Sequence, residues 1–553
     1  MSTMVDTLPN IPFVPSLTPT SLAVAALTLA ASYRIFRIAS REHGLPPGPP
    51  TSPLFGNALQ VPTKGTYLQF TKWAREYGEI YSIKMGSGTA IILSGPAVLK
   101  ELLDKQSAYT SDRPEFSLFD VSMSVIYEAP HFNPYEKWRK LRKASQMLLA
   151  PSVVKTYQPL QEGESTQLAF DLLESPERFF DHISRYGNSL VLAILYGRRS
   201  PRIETPTALA IVEILNHWVT YLEPGATPPV DVFPIFKWIP EWMAPWVVRA
   251  RKIRDMRAAL YLGLFDDCRA RVEAGEDKFF MGDVIRDQAG HGLTREQMSE
   301  LAGAIYEAGS ETTSSTLQTM VLLFAAFPEV QARLQQEIDT VVGEGRLPEA
   351  KDAEHLPYLN AVIQETHRFH TVTPLAIPHR ATKDLHYKGY LIPEGATIFG
   401  NIYGLFHDPD LFENPYTFNP DRYMLTEHGT KPGVDDSAFR NTLIFGFGRR
   451  ICPGMHLANV SVALAAMKLL WTFEFRPLTD PETGKPIQLD TMKKRDGIAA
   501  GPPLFKCDIR CRSSARAELL RHAFKVDAAS ALAGYEYNLS EGDREWLSSV
   551  RSG

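Results

Sequence analysis

Apolar residues recur mainly at helical spacing along this chain, and the alternating runs between them are short. The longest helical pattern opens at Leu293-Thr294-Arg295-Glu296-Gln297, where Thr294 and Gln297 have capping-box spacing. It runs to Phe327, and Pro328 stops it. About thirty residues at 1.5 Å each make a rod of roughly 45–50 Å, enough to cross a whole domain. Gly309 sits in its middle at a cost of about 1 kcal/mol relative to alanine, so the missing side chain should serve a purpose there. Strand-like pieces fall at 80–85, at 90–93 and in several steps near 384–398. Residues 54–512 contain no second linker or repeat, and read as one large, mainly α domain with a small β-sheet portion. Residues 513–553 return to an Ala/Leu/Glu/Arg-rich helical pattern without a chemical motif, a tail of no assigned role.

The N-terminal pattern differs. Residues 7–33 carry no charge, and about 17–36 are mostly apolar, near the roughly 20 residues of a membrane-spanning helix. Arg34, Arg37 and Arg41 follow directly and no Lys or Arg precedes, which places the rest of the chain in the cytoplasm. A cleaved signal peptide would need its positive charges on the other side. Residues 1–41 are therefore expected to form a single-pass anchor segment. Residues 45–53, with prolines at 46, 47, 49, 50 and 53, are expected to be a stiff extended spacer or a hinge to the domain that follows. A net charge of -5 gives no broad basic surface, which argues against a nucleic-acid partner. Cys268, Cys452, Cys507 and Cys511 are too few and too scattered for a disulfide framework, so a reducing compartment fits.

One of these cysteines stands in unusual company. Phe445-Gly446-Phe447-Gly448-Arg449-Arg450-Ile451-Cys452-Pro453-Gly454 puts Cys452 after a glycine-rich turn and before a helical pattern over 455–473. Backbone N–H groups and the dipole at a helix start stabilise a thiolate, which is an electron-rich ligand for iron. A buried structural cysteine is the plainer alternative. Four further groupings stand out: Glu365 with Arg368 and Trp138 with Arg142, each pair on one helix face; the acid-alcohol pair Glu311-Thr312 beside Gly309; and residues 374–380, where two prolines enforce extension.

Phe445, Gly448, Arg450, Cys452 and Gly454 match the fixed positions of the cytochrome P450 haem-binding signature, and the chain resembles membrane-bound fungal members of that superfamily that serve secondary metabolism. The resemblance implies the cytochrome P450 fold and haem b (iron protoporphyrin IX), with Cys452 as metal ligand. Arg450, Trp138, Arg142 and His379 are implied as propionate contacts, and Phe445 packs near the sulfur. Glu365, Arg368 and Arg422 are implied to form a structural lock; Asp421 and Tyr423 around Arg422 are mild departures from the family pattern. In the helix at 308–313, Gly309 is implied to open a groove for dioxygen, Thr312 to hydrogen-bond the oxygen being activated, and Glu311 to connect a proton-delivering water chain.

The implied reaction inserts one oxygen atom into a C–H bond of a lipophilic molecule of terpenoid, polyketide or indole type. Electrons would come from NADPH through a separate reductase, because no flavin or nicotinamide motif is present. Arg139 and Lys143 are expected to help dock that reductase. The expected setting is the endoplasmic reticulum membrane, with membrane lipid as a contact. Phe116, Phe119, Ile126, Ala304, Ala308, Thr373, Leu375 and Ala376 are expected to line the substrate pocket. A haem-thiolate isomerase or dehydratase, or a non-catalytic haem protein, would also keep Cys452. Intact Glu311-Thr312 argues against the first.

Overall fold

The computed structural model describes residues 18–114, 134–222, 233–276, 279–495 and 499–552, together with 227, 228, 230, 231 and 497. The helical spacing becomes thirteen described helices of ten or more residues: α1 Pro19–Arg37, α2 Thr66–Tyr77, α3 Pro134–Leu149, α4 Gln158–Glu174, α5 Phe179–Tyr196, α6 Pro206–Leu222 and α7 Pro245–Glu273, then α8 Arg295–Ala326, α9 Pro328–Val342, α10 Pro357–Phe369, α11 Met455–Thr472, α12 Ser514–Ala523 and α13 Glu541–Ser552. The capping box at the start of α8 is present: Gln297 N–H donates to Thr294 Oγ1 at 3.2 Å, and Thr294 N–H to Gln297 Oε1 at 3.1 Å. Helix α5 crosses α8 closely because Gly187 has no side chain; a Cβ there would stand 2.7 Å from the Ser310 carbonyl oxygen. Helices α4 and α11 pack alongside, and these four contribute to a first core that also draws on α3, α7, α9, α10 and α12.

The small sheet also follows the expected positions. Strands β1 Ile80–Met85 and β2 Gly88–Leu93 pair antiparallel, β2 runs parallel to β6 Thr397–Gly400, and β6 is antiparallel to β3 His379–Arg380. Strands β4 Leu385–Tyr387 and β5 Tyr390–Ile392 form a hairpin. The pairing of β7 Phe473–Pro477 with β8 Cys507–Cys511 was not apparent from periodicity, because Phe473 simply extends the apolar run of α11. A mainly α domain with small sheets is thus the observed fold.

The proline-rich segment is fastened to β1. Ser82 N–H donates to the Pro47 carbonyl at 2.8 Å, Ser82 Oγ to that of Pro46 at 2.7 Å, and the Asn57 amide to that of Pro50 at 3.1 Å. In α1, Leu22, Val24, Leu27, Leu29 and Tyr33 are all exposed. Among the described residues, the helix long and apolar enough by composition to cross a membrane is Met455–Thr472, and two-thirds of it lies buried in the protein. It is a core helix.

Residues 513–552 are part of the same packed body. Leu520, Phe524 and Leu532 are fully buried, and the Phe524 ring stacks on Phe170 of α4 at 3.9 Å and 10°. Arg516 Nη1 donates to the Trp471 carbonyl at 2.6 Å, and Glu536 pairs with buried Arg199 at 3.1 Å.

Candidate active site

Two glycines with positive φ, Gly446 at 86° and Gly448 at 50°, turn the chain back so that Cys452 N–H donates to the Phe445 carbonyl at 2.7 Å. Left-handed backbone is what glycine adopts without strain. A Cβ on Gly448 would also collide with the Leu103 carbonyl. Asp104 braces this turn from a distant segment. Its Oδ1 accepts from Gly448 N–H at 2.7 Å and pairs with Arg440 at 3.2 Å, while Arg440 Nη2 donates to the Gly446 carbonyl at 2.7 Å. Neither Asp104 nor Arg440 carries a motif that would have pointed to it.

Cys452 then stands just before α11. Burial pushes its thiol up; the Gly454 N–H and the Arg142 guanidinium act in the opposite sense and are outweighed. The helix start alone does not make a thiolate here. A bound metal cation would supply the missing positive charge, since a coordinating thiol is held as thiolate. Phe445 is half-buried, with its ring 6.1 Å from the His367 imidazole.

Basic groups gather on the same side. The Arg450 guanidinium lies over the Trp138 ring at 3.9 Å, and its Nε donates to the Ser111 carbonyl at 2.7 Å. Arg142, one turn after Trp138 on α3, is lowered chiefly by burial and is near enough to Cys452 to feel its charge. Arg113 is a residue the motifs missed; it stands three residues before Phe116, the first of the expected pocket residues. Burial first, and Arg450 second, push its guanidinium down to about 9, with Asp112 opposing. His379 is buried and donates from Nδ1 to the Thr110 carbonyl at 2.6 Å; burial and Arg113 press it down to about 3, so it is neutral. Like charges pressed together in a desolvated site fit a ligand bearing carboxylates, and the soft sulfur beside them fits iron. Haem has both features.

The lock is fully buried. Arg368 makes a forked pair with Glu365, Nε–Oε2 at 2.7 Å and Nη2–Oε1 at 2.8 Å, and Arg422 Nε joins Glu365 Oε2 at 3.1 Å. Arg368 Nη1 also holds the Phe406 and Pro415 carbonyls, and Asn419 N–H donates to Glu365. Arg368→Ala leaves Glu365 buried without its main partner, and the expected cost is about 3–5 kcal/mol. Denaturant unfolding of the two proteins measures this; equal midpoints would refute it.

On α8, Ala304, Ala308 and Thr312 recur every four residues on one face, and both alanines are exposed although the helix runs through the core. That face therefore borders open space. Thr312 Oγ1 donates to the Ala308 carbonyl at 2.8 Å, which leaves its lone pairs to accept on the open side. A Cβ on Gly309 would come within 3.0 Å of Val191 on α5. Glu311 meets Arg495 at 3.4 Å. Thr373 is half-buried, Leu375 packs against the cluster that contains Phe70, Trp73 and Tyr81, and Ala376 has φ of 52° beside the sheet core. Phe116, Phe119 and Ile126 lie outside the described residues.

Known proteins resemble this chain over most of its length. Residues 46–506 match the family model for cytochrome P450. A cytochrome P450 monooxygenase of Armillaria gallica is 39% identical over 520 residues, covering 93% of this chain and 98% of the relative. One from Arthrobotrys oligospora is 38% identical, covering 91% and 96%, and one from Aspergillus niger 37%, covering 93% and 98%. With a braced cysteine turn, a cationic cradle and kinship over nearly the whole length, the chain belongs to the cytochrome P450 family of haem-thiolate monooxygenases.

Proposed function

We propose that this protein inserts one oxygen atom from O2 into a C–H bond of a lipophilic small molecule in fungal secondary metabolism, with electrons from NADPH through a separate reductase. The observation that carries the reading is Thr312 on the open face of α8, next to Glu311, in a chain that also holds Cys452 at a braced turn. Haem held by Cys452, Arg450, Arg142, Trp138 and His379 supplies the oxidising chemistry when bound. Glu311 takes up protons from water and Thr312 orients the group that receives them. Ala304, Ala308 and Thr373 place an apolar substrate against that group, and Gly309 keeps α5 close behind it. Arg139, Lys140 and Lys143 are exposed on α3, the helix whose Arg142 lies near Cys452, and form a basic docking patch for an acidic reductase surface. The exposed apolar length of α1 enters the endoplasmic reticulum membrane, with the segment at 45–53 setting the domain against it.

The test is turnover of the full-length protein with NADPH, a fungal reductase and isotopically labelled dioxygen across a panel of terpenoids, polyketides and indoles. Label appears in a product of the wild type. With Thr312→Val, product falls on the order of a hundredfold while the carbon monoxide spectrum is retained. A product that forms without label or NADPH identifies an isomerase or dehydratase instead.

A further inference from the structure

Glu311 has a partner from a distant part of the chain. Arg495 follows β7 by eighteen residues, and its Nη2 stands 3.4 Å from Glu311 Oε1, from Ser315 Oγ and from Gln318 Oε1. Those three acceptors lie four and seven residues along α8, on one helical face. Arg495 is held from behind, where its N–H donates to the Gly501 carbonyl at 2.8 Å. A Cβ on Gly501 would fall 2.7 Å from Arg495 Nη2 and 2.9 Å from Ser315 Oγ, so a side chain at 501 would push the guanidinium from its observed place.

The same loop is tied to the segment that precedes the substrate contacts. Ala500 N–H donates to the Val372 carbonyl at 2.7 Å and Lys494 Nζ to the Thr371 carbonyl at 3.1 Å. Thr373, Leu375 and Ala376 follow immediately in the chain. One loop thus joins the helix that carries Glu311 to the turn that leads into the expected substrate contacts. The Arg495–Glu311 contact is a single point rather than a fork, with the two side chains 40% and 27% exposed. Such a pair adds little to stability and is readily made and broken.

We propose that Arg495 is a positioning residue for proton delivery, orienting the Glu311 carboxylate and tying that orientation to the turn at 371–376 through the loop that holds it. The proposal rests on the reading of Glu311 as the acid that relays protons. No bond to Arg495 changes in the reaction; a proton enters from water at the Glu311 carboxylate, leaves toward the reacting oxygen, and the carboxylate is restored.

The experiment uses the full-length, haem-loaded protein as wild type, Arg495→Gln, Arg495→Lys, Glu311→Gln and the double variant Arg495→Gln/Glu311→Gln. Two quantities are read: the infrared stretch of carbon monoxide on the reduced protein, which reports the field on the α8 side, and the ratio of hydrogen peroxide to water formed from NADPH and reductase without added substrate. Arg495→Gln shifts the stretch and raises the peroxide ratio roughly three- to tenfold. Arg495→Lys recovers most of both. In the Glu311→Gln background the Arg495 substitution adds nothing, as expected for residues acting as one unit. If Arg495→Gln keeps the wild-type ratio while Glu311→Gln changes it, the positioning role is overturned alone. Independent, multiplying effects of the two substitutions overturn it too. If Glu311→Gln itself has the wild-type ratio, the relay reading of Glu311 falls and the role of Arg495 falls with it.

Discussion

Cys452→Ser is expected to abolish the long-wavelength Soret band of the reduced, carbon monoxide-bound protein, together with the NADPH-dependent oxidation proposed above. The argument is local. Burial raises the thiol, and the Gly454 N–H with Arg142 only partly offsets this, so the sulfur would ionise on taking a metal as its partner. A serine hydroxyl in the same place is harder, far less acidic and a poor donor to iron. The loop itself survives, because its geometry rests on backbone: Cys452 N–H to Phe445, Gly448 N–H to Asp104 and Arg440 to Gly446. Circular dichroism of the variant is therefore expected to match wild type while the band disappears. Cys507→Ser and Cys511→Ser, at half-buried cysteines of β8, keep the band. A variant at 452 that retained it would remove Cys452 as the ligand and the oxygenase reading with it.

Much of this architecture was legible because the deciding features are local. Capping, spacing and Pro328 fixed α8 to within a residue of its observed end, and Glu365 and Arg368 could be paired because they lie three apart on one helix. Residues that act across the chain were not legible. Asp104 is 344 residues from the glycine it braces, and Arg495 is 184 from Glu311. Neither sits in a pattern, and each gains its meaning only from the turn that folding brings to it. Burial was also invisible. The thiolate argument from the helix start had the right sign for each contact, but only the folded environment shows that desolvation outweighs them. The tail is the third case. Its Ala/Leu/Arg pattern predicted helices, and no periodicity tells whether an amphipathic helix docks on its own domain or stays apart.

A chain truncated after Arg512 is expected to accumulate as insoluble protein without haem. The family match ends at residue 506, yet Leu520, Phe524, Leu532 and Leu547 are at most 4% exposed. At about 1.5–3 kcal/mol for each fully buried large apolar side chain, their loss is worth roughly 6–12 kcal/mol. That is an upper bound for an extended unfolded reference. It is still comparable with the 5–15 kcal/mol by which a typical domain is stable. The host surface suffers as well. Phe170 loses the ring stacked on it, Trp471 loses the Arg516 hydrogen bond, and Arg199, buried with Glu164, loses Glu536. Gly163 leaves the space that Leu532 occupies: a Cβ there would lie 2.8 Å from the leucine Cγ, so deleting the tail opens a void against α4. A milder variant separates packing from gross deletion. Phe524→Ala should fold, bind haem and unfold about 3–5 kcal/mol more easily. Expression, the carbon monoxide spectrum and denaturant midpoints measure both. A truncated protein with wild-type solubility, spectrum and midpoint would mean that the catalytic core closes without its last helices, against the burial of the residues that bind them.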